Sequence, residues 1–193
     1  MREIYKGGVT PQQKMVGVNQ KFGNVGIPSQ QGTTRILYDT IQNTAGKTNF
    51  RFFEDSTARQ FPLTNTGSEG NKLGVGDTMV IQQIQFLIWA DDFATEPTVL
   101  LGTNTTTNLA YVNFEIANNQ VIKKLTLSES DQVYNKDTQG NAPISLETNI
   151  VIPPLLTFVL ELQLPVALSV LTVKYVECQI IGAGGIIAPR TTF

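Results

Sequence analysis

Between Thr157 and Leu164 the chain alternates strictly, with Phe158, Leu160, Leu162 and Leu164 on one side and Thr157, Glu161 and Gln163 on the other. A period of two sends successive side chains to opposite faces of an extended backbone, so this segment reads as a strand with one buried face. Comparable short runs predict strands over 35–41, 48–54, 79–90, 98–102, 110–117, 120–127, 148–153, 157–164 and 171–182. No segment carries helical spacing. In 110–127, Val112, Phe114 and Ile116 alternate with Tyr111, Asn113 and Glu115, and a second run follows through Val121, Lys123, Leu125 and Leu127. The Asn118-Asn119 link between them predicts a hairpin, because Asn tolerates the positive φ of tight turns. The 79–90 run is apolar on both faces, Val80, Ile84, Phe86 and Ile88 against Met79, Ile81, Leu87 and Trp89, and such a strand is expected to be covered on both sides.

Punctuation fits the same picture. Gly74, Gly76 and Asp77 precede the long run, Asp91 and Asp92 follow it, and Pro153, Pro154 and Pro165 bracket the alternating strand. Proline lacks the N–H that a central strand uses, so these prolines mark strand ends or edges. Gly182, Gly184 and Gly185 are expected to end the last strand. The polar loop from Asp55 to Gly76 is long enough to be a contact feature. Eight or nine strands at this spacing predict an all-β chain folded as a β-sandwich, with a single jelly roll favoured over an immunoglobulin-like topology.

Residues 1–34 follow neither period. Val16, Val18, Phe22 and Ile27 are scattered through Gly- and Gln-rich sequence, which predicts an extended N-terminal arm ahead of a sandwich domain at 35–193. An arm of this kind cannot bury enough apolar surface to fold alone, but it can order against another subunit. Those four residues are the expected subunit contacts. Residues 1–15 read equally well as an unstructured tail.

Composition adds a bias toward assembly. Charged residues make up 16% of the chain, against about 25% in an average soluble domain. A surface dominated by Thr, Asn, Gln and Gly lets neighbouring copies approach with little Coulombic penalty, although an ordinary extracellular β-domain shares this composition. The first 35 residues carry a net +4 and the remainder −6 of the overall −2. So dilute a positive charge would bind nucleic acid weakly and salt-sensitively, and docking onto acidic neighbouring subunits explains it better. The most apolar stretch, Ile150 to Val173, is broken by Pro153, Pro154, Glu161, Gln163 and Pro165, so no membrane span is expected. The opening residues lack the apolar core of a secretory signal, which places synthesis in a cytoplasm. Cys178, the single cysteine, sits in an apolar run and reads as a small buried hydrophobe.

The chain has no histidine, which removes the commonest general base, the usual zinc ligand and every nucleophile paired to an imidazole. Asp91, Asp92 and Glu96 form a tight acidic group, yet neighbours on an extended chain point apart, and a solvated turn is the simpler reading. Asn135, Asp137, Gln139 and Gly140 imitate the start of a calcium loop, but Leu146 stands where the closing Glu belongs. Asn104-Thr105-Thr106 is a formal glycosylation sequon without a secretory route. The GVGD and GAGG glycines lack the Lys and Ser/Thr of a phosphate cradle. No enzyme activity, metal or cofactor is expected.

The most specific stretch is the C-terminal third: NIVIPPLLTFVLELQLP at 149–165, LTVKYVECQIIGAGG at 171–185, then the tail IIAPRTTF. This order of strand, double proline, alternating strand, proline turn and closing strand resembles the end of small jelly-roll virion proteins of bacteriophages, including crAss-like and related phages. The likeness covers roughly residues 76–188, and the arm by analogy. It implies a capsid, auxiliary capsid or head-attached protein, made in the host cytoplasm and resident in the virion. Its partners would be copies of itself, as a homo-oligomer, and other virion proteins. The arm is less basic than the genome-binding arms of many small viral coats, so direct nucleic-acid contact is not expected. The alternative is a module that recognises a host glycan or receptor, with aromatic rings stacking on sugars. Trp89 lies in a strand expected to be buried, which leaves Tyr111 and Tyr134 as weaker candidates.

Overall fold

The structure, a computed structural model, describes residues 30–54, 59, 61–66, 71–75, 77–99, 109–127 and 144–187, with backbone alone at 30–33, 98, 99, 145, 147, 186 and 187. It is all-β. The strands are β1 (Gln30–Gln42), β2 (Asn49–Phe52), β3 (Asp77–Trp89), β4 (Thr98–Val99), β5 (Tyr111–Ile116), β6 (Asn119–Thr126), β7 (Ile144–Ile152), β8 (Phe158–Gln163) and β9 (Tyr175–Ile187). They form two antiparallel sheets. One runs β1-β9-β3-β4 with β7 also paired to β3, and the other runs β2-β8-β5-β6.

The pairings are nested. β1 pairs β9, β2 pairs β8, β3 pairs β7 and β5 pairs β6, so the chain resembles one long antiparallel ribbon whose successive rungs fall in alternate sheets. Winding adds two further seams, β3 with β9 and β5 with β8. One hydrophobic core joins the sheets, and the Phe52 ring of the second lies 5.9 Å from the Phe86 ring of the first. The alternation of Phe158, Leu160, Leu162 and Leu164 places all four in this core, as their spacing predicts. Removing such side chains from water contributes about 1.5–3 kcal/mol each.

Three sequence expectations are corrected. The 79–90 run does not keep one phase, because the β3 register shifts between Ile81 and Gln83 on both of its long seams. Gln82 is the extra residue of a bulge, and a bulge exchanges the faces beyond it. Met79 and Ile81 therefore share the core with Ile84 and Phe86, while Val80 is buried outside that cluster. The β5–β6 pairing shifts twice, between Leu125 and Ile122, where Lys124 takes φ 51°, and between Ile122 and Gln120. Of the predicted face of Val121, Lys123, Leu125 and Leu127, the last two meet the core, while Ile122 turns inward and Val121 and Lys123 are exposed.

The glycines correct the third. Residues 171–174 are a turn rather than strand, and β9 continues through Gly182, Gly184 and Gly185 to Ile187, paired on both sides. A Cβ at Gly182 would lie 2.0 Å from the Val80 carbonyl oxygen, so the bulge in β3 occupies the space a side chain would need. Glycine here permits close approach of two backbones rather than ending a strand.

β1 begins at Gln30, so Gln30–Thr34, placed with the arm by sequence, pair with Ala183–Ile187. The rest of the predicted arm lies outside the described residues. Leu63–Asn65 run beside β1: Thr40 N–H donates to the Leu63 carbonyl at 2.8 Å, and Asn65 Nδ2 donates to the Ile36 carbonyl. Along Ile36–Thr40 this covers an edge that would otherwise offer unpaired backbone groups to another chain.

Candidate functional site

The four expected subunit contacts, Val16, Val18, Phe22 and Ile27, lie outside the described residues, as do Asn104, Tyr134 and the calcium-loop imitation from Asn135 to Gly140. Among the described residues no group of three or more acidic or cysteine side chains could hold a metal ion, and no helix is long and apolar enough to cross a membrane. Cys178 is buried, and burial pushes its thiol well above the ordinary range, helped by the charges of Asp39 and Glu177.

Two regions hold the polar chemistry. The first lies inside. Asp39 points from β1 into the core, where its carboxylate accepts the Phe53 N–H at 2.6 Å and both Nε and a terminal nitrogen of Arg59, at 2.8 and 2.7 Å. Burial raises this carboxyl above its ordinary value, and the hydrogen bonds from Arg59 and Phe53 offset only part of the rise. Both carboxylate oxygens are engaged by the segment that follows β2, which makes the pair a fastening for that part of the chain.

The second lies at one end of the first sheet, on the face turned away from the core. Trp89 closes β3 and Tyr175 opens β9, and the two are directly paired. Phe93 sits between their strands on the loop that follows β3. Its ring meets Trp89 edge-on at 4.9 Å and stacks on Tyr175 at 4.9 Å with 25° between planes. All three rings remain partly exposed. This corrects the expectation that Trp89 is buried: the bulge turns it onto the outer face, at the last position of the strand.

Sequence-local hydrogen bonds set this cluster. Asp91 accepts the N–H groups of Ala94 and Thr95 and the Thr95 hydroxyl, at 2.9, 3.2 and 2.8 Å. The Thr95 hydroxyl bond chiefly holds the Asp91 carboxyl below its usual range. The turn forces Phe93 to φ 66°, a left-handed conformation uncommon for a bulky side chain. Behind the rings, Trp89 Nε1–H donates to Glu177 at 2.8 Å, and Glu177 also accepts from Gln179. Burial, with the Glu177 charge, raises the nearby Tyr38 phenol. At the rim, Lys174 Nζ lies 3.0 Å from one Asp92 oxygen, and the Tyr175 hydroxyl 3.5 Å from the other.

Asp91 and Asp92 are thus brought to one loop but not to one task. One organises the turn, the other faces solvent, and they do not converge on a common point with Glu96. Sequence reasoning missed Phe93 and Tyr175 altogether. The nearest signal was the Asp91–Thr95 spacing, which marks a side-chain-stabilised turn, but nothing local reports that β9 begins opposite Trp89. No protein-family model matches the chain, and no curated protein matches it.

Proposed function

We propose that the protein is a virion structural subunit, capsid or capsid-associated, built on a β-sandwich of the jelly-roll type and acting through contacts with copies of itself and other virion proteins. The nested pairing of strands across two sheets supports the jelly-roll reading, since a jelly roll is an antiparallel ribbon wound into two Greek keys. In this reading the N-terminal arm, with Val16, Val18, Phe22 and Ile27, lies on a neighbouring subunit.

One observation carries the functional part. Leu155 is 53% exposed although it takes φ 61°, a strained conformation for a bulky residue. Its N–H donates to the Leu73 carbonyl, which ties it to the loop carrying Val75, 85% exposed, and Leu156 beside it is also exposed. Strain that holds apolar side chains toward solvent fits a surface shaped for a partner.

The test is assembly of the full-length protein, followed by light scattering and sedimentation. The expected result is concentration-dependent association, abolished by the double substitution Val75→Glu and Leu155→Glu and weakened by deleting residues 1–29, which leaves β1 whole. Mass spectrometry of purified particles should find the chain. A protein that stays monomeric at high concentration and is absent from particles contradicts the proposal. A second reading, a module recognising a host glycan or receptor, is favoured by the partly exposed rings of Trp89, Phe93 and Tyr175.

A further inference from the structure

We infer that the Trp89–Phe93–Tyr175 cluster, with Asp92 and Lys174 at its rim, is a binding site for a neutral oligosaccharide. This rests on the glycan-recognition reading and is compatible with a structural role in the same particle.

The argument begins with what a sugar offers: faces of C–H groups that pack on aromatic rings, and hydroxyls at the ring edge that need donors and acceptors. The cluster supplies both within one loop and two strand ends. Its three rings are partly exposed and held against one another at 4.9 Å. Asp92 is 71% and Lys174 46% exposed in their side chains, so the carboxylate and the ammonium are free to exchange their mutual contact for hydroxyls. An exposed pair of this kind contributes little to folding, so giving it up to a ligand costs little.

The platform is also fixed before any ligand arrives. Glu177, itself buried, holds the indole through Nε1. Asp91 ties down the loop with three hydrogen bonds, and Phe93 is held in a strained conformation that stacks it on Tyr175. Rings immobilised in this way lose little further entropy on binding. A simple hydrophobic cap over the strand ends would need neither the strained Phe93 nor an acid and a base at the rim.

Charge selects among ligands. Asp91, Asp92 and Glu96 on the loop and Glu177 beneath it outnumber Lys174, which disfavours uronic or sialic acids. A quaternary ammonium would need an open cage of rings, and here Phe93 closes onto Tyr175. Neutral hexose or N-acetylhexosamine chains remain.

Trp89 is the only tryptophan in the chain, so its emission reports on the site directly. Full-length protein would be titrated with maltohexaose, cellohexaose and chitohexaose, with oligogalacturonate as the anionic comparison, and screened in parallel on a glycan array. The expected result is a saturable change in Trp89 emission with at least one neutral probe and none with oligogalacturonate. Tyr175→Ala or Asp92→Ala should weaken binding about tenfold, while Leu155→Glu, on a loop at the other end of the strands, leaves it unchanged. Thermal melts establish that the variants are folded. Neutral glycans bound equally well by Tyr175→Ala and Asp92→Ala would overturn this site and leave glycan recognition standing elsewhere on the protein. Failure of every neutral glycan on the array would remove both.

Discussion

Asp39 is wholly buried, and its value to the fold lies in what would be stranded without it. Asp39→Ala leaves the Phe53 N–H and the Arg59 guanidinium without their acceptor, and breaking such a pair from one side costs about 3 kcal/mol. Urea denaturation should show the midpoint falling by the corresponding amount. Cys178 gives a complementary measurement. Its thiol is inaccessible and its thiolate disfavoured by burial, so a thiol reagent at pH 8 should label it only through global opening, at a rate that rises with denaturant; fast labelling of native protein would show that the core at β9 is open. The burial of Cys178 was legible from its apolar neighbours. The role of Asp39 was not, because its partner Arg59 lies 20 residues away and nothing in RILYDTI marks the one acid of the run as inward-facing. Phe93 and Leu155 were equally hidden, since left-handed backbone at a bulky residue is imposed by surrounding structure against local preference.

At the scale of elements, bulges decide which residues meet. The shift at Gln82 exchanges the faces of β3, and Gly182 is the residue of β9 that accommodates it. Gly182→Ala would drive a methyl into the Val80 carbonyl on a central strand pair, and the expected result is loss of about 4 kcal/mol or more, seen as a collapse of the thermal midpoint or failure to accumulate folded protein. The hairpin between β5 and β6 offers the opposite case. Its two turn residues, Ala117 and Asn118, take φ 49° and 66°, the conformation that Asn-Gly serves best. Ala117→Gly should therefore raise stability by about 0.5–1 kcal/mol, the relief of a left-handed Cβ less the extra entropy that glycine loses on folding, detectable as a higher urea midpoint. The strand segments themselves were legible to within a few residues at most ends, because period-two patterning and proline punctuation are local signals. Phase was not, since one inserted residue leaves hydrophobic content unchanged while reversing every face beyond it.

For the whole molecule, the nested pairing makes the first and last of the described strands partners and leaves sheet edges to be managed. Leu63–Asn65 cover the middle of β1, and β6 carries exposed Lys123 and Lys124 along the border of the second sheet. Lysines on an edge discourage pairing with another chain, so Lys123→Val should increase sheet-type aggregation, measured by thioflavin fluorescence, without lowering the melting temperature of the soluble fraction by more than a few degrees. Sequence alone determined that this chain is all-β, where its strands lie, and which side of β8 meets a core, because each of those follows from the backbone's alternation over a few consecutive residues. Tertiary structure alone decided the phase of β3 and β6, the seating of Arg59 on Asp39, and the meeting of Trp89 with Tyr175, 86 residues further along. Those depend on register between distant strands, and register is set by the packing of both sheets together.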